Sequence, residues 1–122
     1  MALLPGSAPV ATPHEGDDDR IGVSVTPTAC GVGVRVRGEI DLDSVGRLRT
    51  TLLRAMAAYD GVDVTLDLSG VSFCDSSGLN ALLLARRHAL REGRRLTITA
   101  AGSQVTRLLE VTGSAALFRS AT

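Results

Sequence analysis

The chain changes its hydrophobic period repeatedly between Ile21 and Ala100, and that rhythm restricts the fold more than any single motif. In "IGVSVTP", Ile21, Val23 and Val25 alternate with small or polar residues; in "VGVRVRGEI", Val32, Val34 and Val36 alternate with Gly33, Arg35 and Arg37. Period-two alternation marks strands with one buried face, and the short "TACG" between them makes an antiparallel hairpin. The period then lengthens. Val45, Leu48, Leu52 and Met56 recur at intervals of three or four, with Arg47, Thr50, Thr51 and Arg54 elsewhere. That pattern predicts an amphipathic helix to about Ala58, ended by "YDG". "VDVTLDL", Val62 to Leu68, returns to alternation with Val62, Val64, Leu66 and Leu68 on one face. A second helix is predicted from about Ser77 to Glu92, closed by Gly93, and "LTITA" (Leu96 to Ala100) is a fourth alternating strand. "SQVTRLLEVTG" and "SAALFRS" supply a short helix and a last helical turn.

The element order is therefore β-β-α-β-α-β-α. Two strand–helix–strand crossovers predict parallel neighbours joined by right-handed connections. Every strand alternates, whereas parallel strands buried on both faces read as continuous apolar runs. The expected architecture is α/β: a single domain with a mixed four- to five-stranded sheet, helices covering one face and the other face largely in water. Such a layout leaves no deep pocket between layers. At 122 residues there is room for one core and not two. Residues 1–19, "MALLPGSAPVATPHEGDDD", lack periodicity and are predicted to form a disordered tail, which places the folded domain at 20–122.

Composition narrows function by exclusion. A formal net charge of zero argues against direct nucleic-acid binding. Glu15, Asp17, Asp18 and Asp19 are confined to the tail, so residues 21–122 carry about +3. Arg86, Arg87, Arg91, Arg94 and Arg95 form the densest basic cluster, read as a solvated helix end at the negative pole of the dipole, with nucleic acid or an anionic partner as the alternative. Cys30 and Cys74 have no second Cys or His at ligand spacing, so neither a metal nor a cofactor is expected. No apolar run reaches the about 18 residues of a membrane span. "MALLPGSAPV" also lacks the basic start and sustained apolar stretch of a signal peptide, and the expected location is cytoplasmic.

Cys74-Asp75-Ser76-Ser77-Gly78 lies where a strand gives way to a helix, and three kinds of chemistry use such a place. Asp and Ser are favoured N-caps, because a side-chain oxygen accepts from the free N–H groups of the first turn. A serine nucleophile is the second, but the hydrolase elbow needs G-x-S-x-G and a histidine base within reach. His14 lies in the tail, and His88 lies down the same helix, roughly 18 Å from Ser76 at about 1.5 Å per residue. A serine hydrolase is therefore disfavoured; the chain is read as a non-enzyme, with that hydrolase as the enzyme alternative. The third is a phosphoacceptor: a helix N-terminus offers free N–H groups and the positive dipole end, so phosphate on Ser76 is tolerated there.

Along this helix Leu79, Leu82, Leu83 and Leu90 are predicted to form the core stripe. Ser76, Asn80, Leu84, Arg87 and Arg91 follow at spacings of three or four and line another face. Leu84 is an apolar residue on a polar ridge, suited either to packing at the rim or to anchoring a protein partner. Arg87 is too far along the helix to neutralise a phosphate on Ser76, so the new charge faces outward.

"VDVTLDLSGVSFCDSSGLNALLLA" resembles the signature of STAS-domain proteins, specifically the bacterial anti-sigma factor antagonists, whose strand ends in D-L and leads through F-x-D-S-S-G-L into a helix. Gly38-Glu39-Ile40-Asp41 resembles a second family element, and Leu108-Leu109-Glu110-Val111-Thr112-Gly113 with Leu117-Phe118 a third. The three arrive in family order over roughly residues 21–119.

This resemblance implies that Ser76 is the phosphorylated serine, with Asp75 beside it and Ser77 as the cap. In such proteins the phosphorylating partner is both a serine kinase and an anti-sigma factor. The unphosphorylated antagonist binds it and frees a sigma factor; the phosphorylated form lets go, and a serine phosphatase resets it. ATP and metal belong to the kinase. Asn80, Leu84 and Arg87 extend the expected partner surface. The Gly38–Ser44 segment resembles the family loop that also lies against the kinase, so Glu39, Asp41 and Asp43 are expected to meet basic partner residues. Its other role is turn and cap chemistry for the first helix, through Asp43 or Ser44. Two departures stand out: Cys74 occupies a place often held by a larger apolar residue, which raises redox sensitivity as a question, and Asn80 stands where small residues are common. The alternative is a STAS subunit of a membrane transport or other signalling assembly without a phosphoswitch. A monomer is expected, with a dimer through the open sheet face left open.

Overall fold

The structure, a computed structural model, describes residues 20–119; the predicted tail at 1–19 and residues 120–122 lie outside the described residues. β1 (Ile21–Thr28) and β2 (Gly31–Ile40) form the expected hairpin, α1 (Val45–Ala58) follows, and β3 (Asp63–Cys74) leads into α2 (Ser76–Arg91). β4 (Leu96–Ala101), α3 (Ser103–Val111) and a 3-10 turn (Ala115–Phe118) complete the order. Among the described residues the strands lie side by side in chain order in a sheet of four strands. β1 is antiparallel to β2, while β2–β3 and β3–β4 are parallel, as helical crossovers demand.

Register sorts the side chains onto two faces. Val25, Val34, Leu66 and Ile98 stand abreast, and the first three are buried in the core with Ile98 packed against them. Thr26, Gly33, Thr65 and Thr97 stand abreast on the opposite face. α1 and α2 pack on each other and on the strands of the apolar face. The polar face carries an open groove lined by Ser24, Thr26, Arg35, Thr65 and Asp67, with Arg35 Nε 3.4 Å from Asp67 Oδ2.

Three expectations change. The strand predicted to end at Leu68 runs on to Cys74, because register shifts let "SGVSFC" continue pairing with β2. Those bulges break the alternation, and burial moves to Val71 and Cys74. In α2, Leu79 and Leu82 are buried as expected, but Leu83 is half-buried and Leu90 is 48% exposed. Gly78, Ala81, Ala85 and Ala89 complete the buried stripe instead. Leu90 follows Ala89 and is turned from it by about 100° around the helix axis.

Arg94 is the third. It is 2% exposed rather than part of a solvated cluster. Its Nε donates to Val62 O at 2.6 Å, Nη1 to Met56 O at 3.0 Å and Nη2 to Tyr59 O at 2.8 Å. Nη1 also lies 2.9 Å from Glu92 Oε1. Carbonyls at the end of a helix have no intrahelical partner, and here one guanidinium gathers those of α1 and the following turn. Arg87, Arg91 and Arg95 are exposed; Arg86 is half-buried and donates to Leu117 O at 2.9 Å.

Candidate functional site

The parallel pairing of β2 and β3 brings two sequence motifs to one end of the sheet. Glu39 pairs with Phe73 and Ile40 with Cys74, and the Asp75 N–H donates to Ile40 O at 3.2 Å. The Gly38–Ser44 loop and the Cys74–Gly78 junction are therefore neighbours. Gly78 allows α2 to start this close to the strand ends. A Cβ there would lie 2.6 Å from Cys74 Sγ and 2.6 Å from Ile40 Cγ2.

Asp75, not Ser77, caps α2. Its Oδ1 accepts from the Ser77 N–H at 3.0 Å and the Gly78 N–H at 3.2 Å, and from the Ser77 hydroxyl at 2.6 Å. Ser77 thus braces the cap, because the helix begins one residue earlier than predicted, at Ser76. The Ser77 hydroxyl, followed by the Gly78 and Ser77 N–H groups, holds the Asp75 carboxyl below its ordinary range. A carboxylate depressed on folding adds stability that is present above its unfolded value, about 3.9, and lost as pH falls through the folded one. Asp75→Ala is expected to lower stability by about 1 kcal/mol at neutral pH. The gap to the parent protein should narrow as the pH falls below the unfolded value of about 3.9. Urea unfolding across that range checks both the size and the sign.

Ser76 is the exposed first residue of α2, and its hydroxyl makes no hydrogen bond to another described residue. Ser77 is half-buried and engaged. Environment separates the two serines: one hydroxyl is spent inside the junction and the other is presented.

In the loop, Ser44 holds the N-cap position of α1 as expected, without a side-chain cap bond, and Asp41 rather than Asp43 shares the turn chemistry with it. Asp41 Oδ1 accepts from the Asp43 N–H at 3.0 Å and the Ser44 N–H at 3.1 Å, while its Oδ2 lies 3.2 Å from Arg20 Nη1. Ser44 is buried, its hydroxyl donating to Glu39 O at 2.7 Å and accepting from the Asp41 N–H at 3.0 Å. Of the three acids, Glu39 and Asp43 are exposed and Asp41 is half-buried. Two apolar side chains not singled out from sequence flank them: Leu42 is 76% and Phe73 43% exposed. Phe73 fell beyond the predicted strand end; Leu42 was visible only as an apolar residue between two aspartates.

The expected ridge on α2 is present, since Ser76, Asn80, Leu84, Arg87 and Arg91 are all exposed, Leu84 at 47%. Arg87 lies about 16 Å along the axis from Ser76 and does not join the loop. His88 is exposed on the far part of α2, 3.5 Å from Glu92 Oε2, and supplies no base to Ser76. Burial, then the neighbouring Asp75 charge, pushes the Cys74 thiol up to about 11, away from the thiolate that redox chemistry uses. Cys30 is the exposed cysteine, in the hairpin turn. Among the described residues no group of His, Cys, Asp and Glu is arranged to hold a metal ion, and no helix is long and apolar enough to cross a membrane.

Comparison with known proteins follows the same lines. The family model described as "Mlab, STAS domain" matches residues 24–119. The anti-sigma-B factor antagonist of Bacillus subtilis (strain 168) is 30% identical over 93 residues, 76% of this chain and 84% of the relative. The crystal structure of an anti-sigma factor antagonist from Mycobacterium paratuberculosis matches with a TM-score of 0.70 at 27% identity, over 80% of this chain and 81% of that one. The anti-sigma factor antagonist SpoIIAA in its unphosphorylated form shares the fold, with a TM-score of 0.68 at 20% identity over 83% and 89% of the two chains. The family match over nearly all the described residues, and a relative 30% identical over 93 aligned residues, agree with the strand–turn–helix junction: the chain belongs to the STAS-domain family of anti-sigma factor antagonists.

Proposed function

We propose that this protein is an anti-sigma factor antagonist whose partner binding is switched at Ser76. The unphosphorylated form binds a serine kinase that doubles as an anti-sigma factor and so frees a sigma factor in the cytoplasm. Phosphorylation of Ser76 ends that binding, and a serine phosphatase restores it. The antagonist is a substrate and not an enzyme; ATP and metal come with the kinase.

Ser76 carries this reading: an exposed hydroxyl, without a hydrogen bond among the described residues, at the capped start of a helix, with an acidic and apolar loop beside it. A phosphate there gains the free N–H groups of the first turn, so the fold tolerates it. It also adds about −1.5 to −2 of charge next to the ionised Asp75, on a surface where Leu42 and Phe73 expose apolar area. A partner that fits these apolar side chains when Ser76 is neutral must desolvate the phosphate when it is not, and loses affinity. Asp75, Ser77, Asn80, Leu84, Arg87, Glu39, Asp41 and Asp43 fall into two groups on this basis. Asp75, Ser77 and Asp41 shape the surface, while Glu39, Asp43, Asn80, Leu84 and Arg87 face a partner.

Affinity capture from native cells with Ser76→Ala and Ser76→Asp baits tests the switch. The Ala form should retain a serine-kinase-like protein at least roughly tenfold more tightly than the Asp form. With ATP and magnesium, that protein should add one phosphate to the parent chain and none to Ser76→Ala, read by intact mass. Capture of the same proteins by both baits, or of a membrane transporter with each, overturns the switch and favours a transport-assembly subunit.

A further inference from the structure

β3 loses one of its neighbours before it reaches Ser76. Its pairing with β4 ends at Leu68 and Ala101, whereas its pairing with β2 continues to Ile40 and Cys74. A strand on the open side would offer the backbone of β3 one donor and one acceptor at alternate residues. At Cys74 both are supplied by a side chain. The Cys74 N–H donates to Gln104 Oε1 at 2.8 Å, and Gln104 Nε2 donates to Cys74 O at 2.9 Å. The next residue turns the other way: the Asp75 N–H goes to Ile40 O, and the Asp75 carboxylate caps α2.

We propose that Gln104 is a positioning residue of the Ser76 site. Its amide replaces the missing strand, fixes the last residue of β3, and so sets where Asp75 begins α2. α3 does not need this amide to stay seated, because Val105 and Leu109 are its buried residues and Gln104 is half-buried. The consequence for partner binding rests on the switch at Ser76; the local role of Gln104 does not.

Amide hydrogen exchange on the free protein tests the local role without any partner. In Gln104→Leu, exchange at Cys74, Ser77 and Gly78 should rise roughly tenfold, while amides in the middle of α1 stay unchanged. Gln104→Glu adds a pH signature that packing alone does not produce. Protonated, the carboxyl has an O–H and a C=O and reproduces both bonds; ionised, it only accepts and faces the Cys74 carbonyl. The neutral form is therefore favoured, and the folded pKa of this Glu lies above the ordinary value of about 4.3. Protection at Cys74 should be present below the ordinary value and lost as pH rises through the folded one. Cys74, whose backbone Gln104 bonds, has its thiol pushed up to about 11, and the carboxyl of the next residue, Asp75, is held below its ordinary range, so both are shifted away from that window. The neighbouring charge along α3 is Arg107.

With the captured kinase, Gln104→Leu should bind roughly tenfold more weakly than the parent chain. Unchanged exchange at Cys74 to Gly78, or a rise spread equally over α1 and α2 with no pH step in Gln104→Glu, overturns the proposal. If capture shows no Ser76 switch while the local exchange pattern holds, the function fails and the positioning role of Gln104 stands.

Discussion

Replacing Arg94 by Ala is expected to lower folding stability by about 3–5 kcal/mol. The guanidinium is 2% exposed and satisfies the carbonyls of Met56, Tyr59 and Val62. Truncation leaves three acceptors without their donor, at about 1 kcal/mol or more each, and opens a void the size of the side chain. No buried charge is orphaned, since Glu92 is exposed, so the larger penalty of a broken buried ion pair does not apply. Arg94→Lys separates charge from geometry. An ammonium keeps the charge near the end of α1 but lacks the planar fork that reaches three carbonyls at once, and a loss of about 1–2 kcal/mol is expected. Arg91→Ala, on the exposed ridge, should change stability by under about 0.5 kcal/mol. Urea unfolding of the three variants checks the order. If Arg94→Ala stays within about 1 kcal/mol of the parent, water replaces the guanidinium and α1 does not depend on it.

Arg94 also marks the limit of what the sequence discloses. In "HALREGRRLTI" nothing separates it from Arg91 or Arg95, because its carbonyl partners lie more than thirty residues away. The strands and helices were legible for the opposite reason: period two and period three-to-four are local properties, and the element order followed from them. On α2 the buried stripe follows helical phase rather than leucine content. Leu90 is apolar but turned outward, while Ala81, Ala85 and Ala89 are small and let the helix pack closely.

At the candidate site, the DSSG junction and the loop after β2 were visible as motifs, but not the division of labour inside them. Asp75 and Ser77 are both good caps, and a shift of one residue in the helix start decides which of them serves. Asp41 displaced Asp43 in the same way and shares the turn with Ser44, the N-cap residue of α1, in a loop that Arg20 also holds. Gln104 was not visible at all. Its role exists only because β4 stops short of the end of β3, a fact of sheet pairing between distant segments.

Gly78→Ala should lower stability by about 2 kcal/mol, although alanine is the better helix former by about 1 kcal/mol. The added methyl would meet Cys74 Sγ and Ile40 Cγ2 at 2.6 Å each, inside any van der Waals contact. Neither side chain has room to retreat, with Ile40 at 0% and Cys74 at 1% exposure. The clash has to exceed the propensity gain, and overpacking a filled core at about 1–3 kcal/mol or more does so. Gly78→Val should cost more still, at least about 3 kcal/mol, since a branched side chain adds two further carbons in the same place. The double variant with Cys74→Ala shows how the methyl is absorbed. Removing the sulfur frees one of the two contacts, so the pair should be about 1 kcal/mol more stable than the sum of its parts. If that coupling is absent, the side chains are not what yields, and the start of α2 lifts from the strand ends instead. Partner affinity distinguishes the cases. A lifted helix carries Asp75 and Ser76 with it and weakens capture of the kinase beyond the loss of stability, whereas local repacking under Gly78 leaves the Ser76 surface intact.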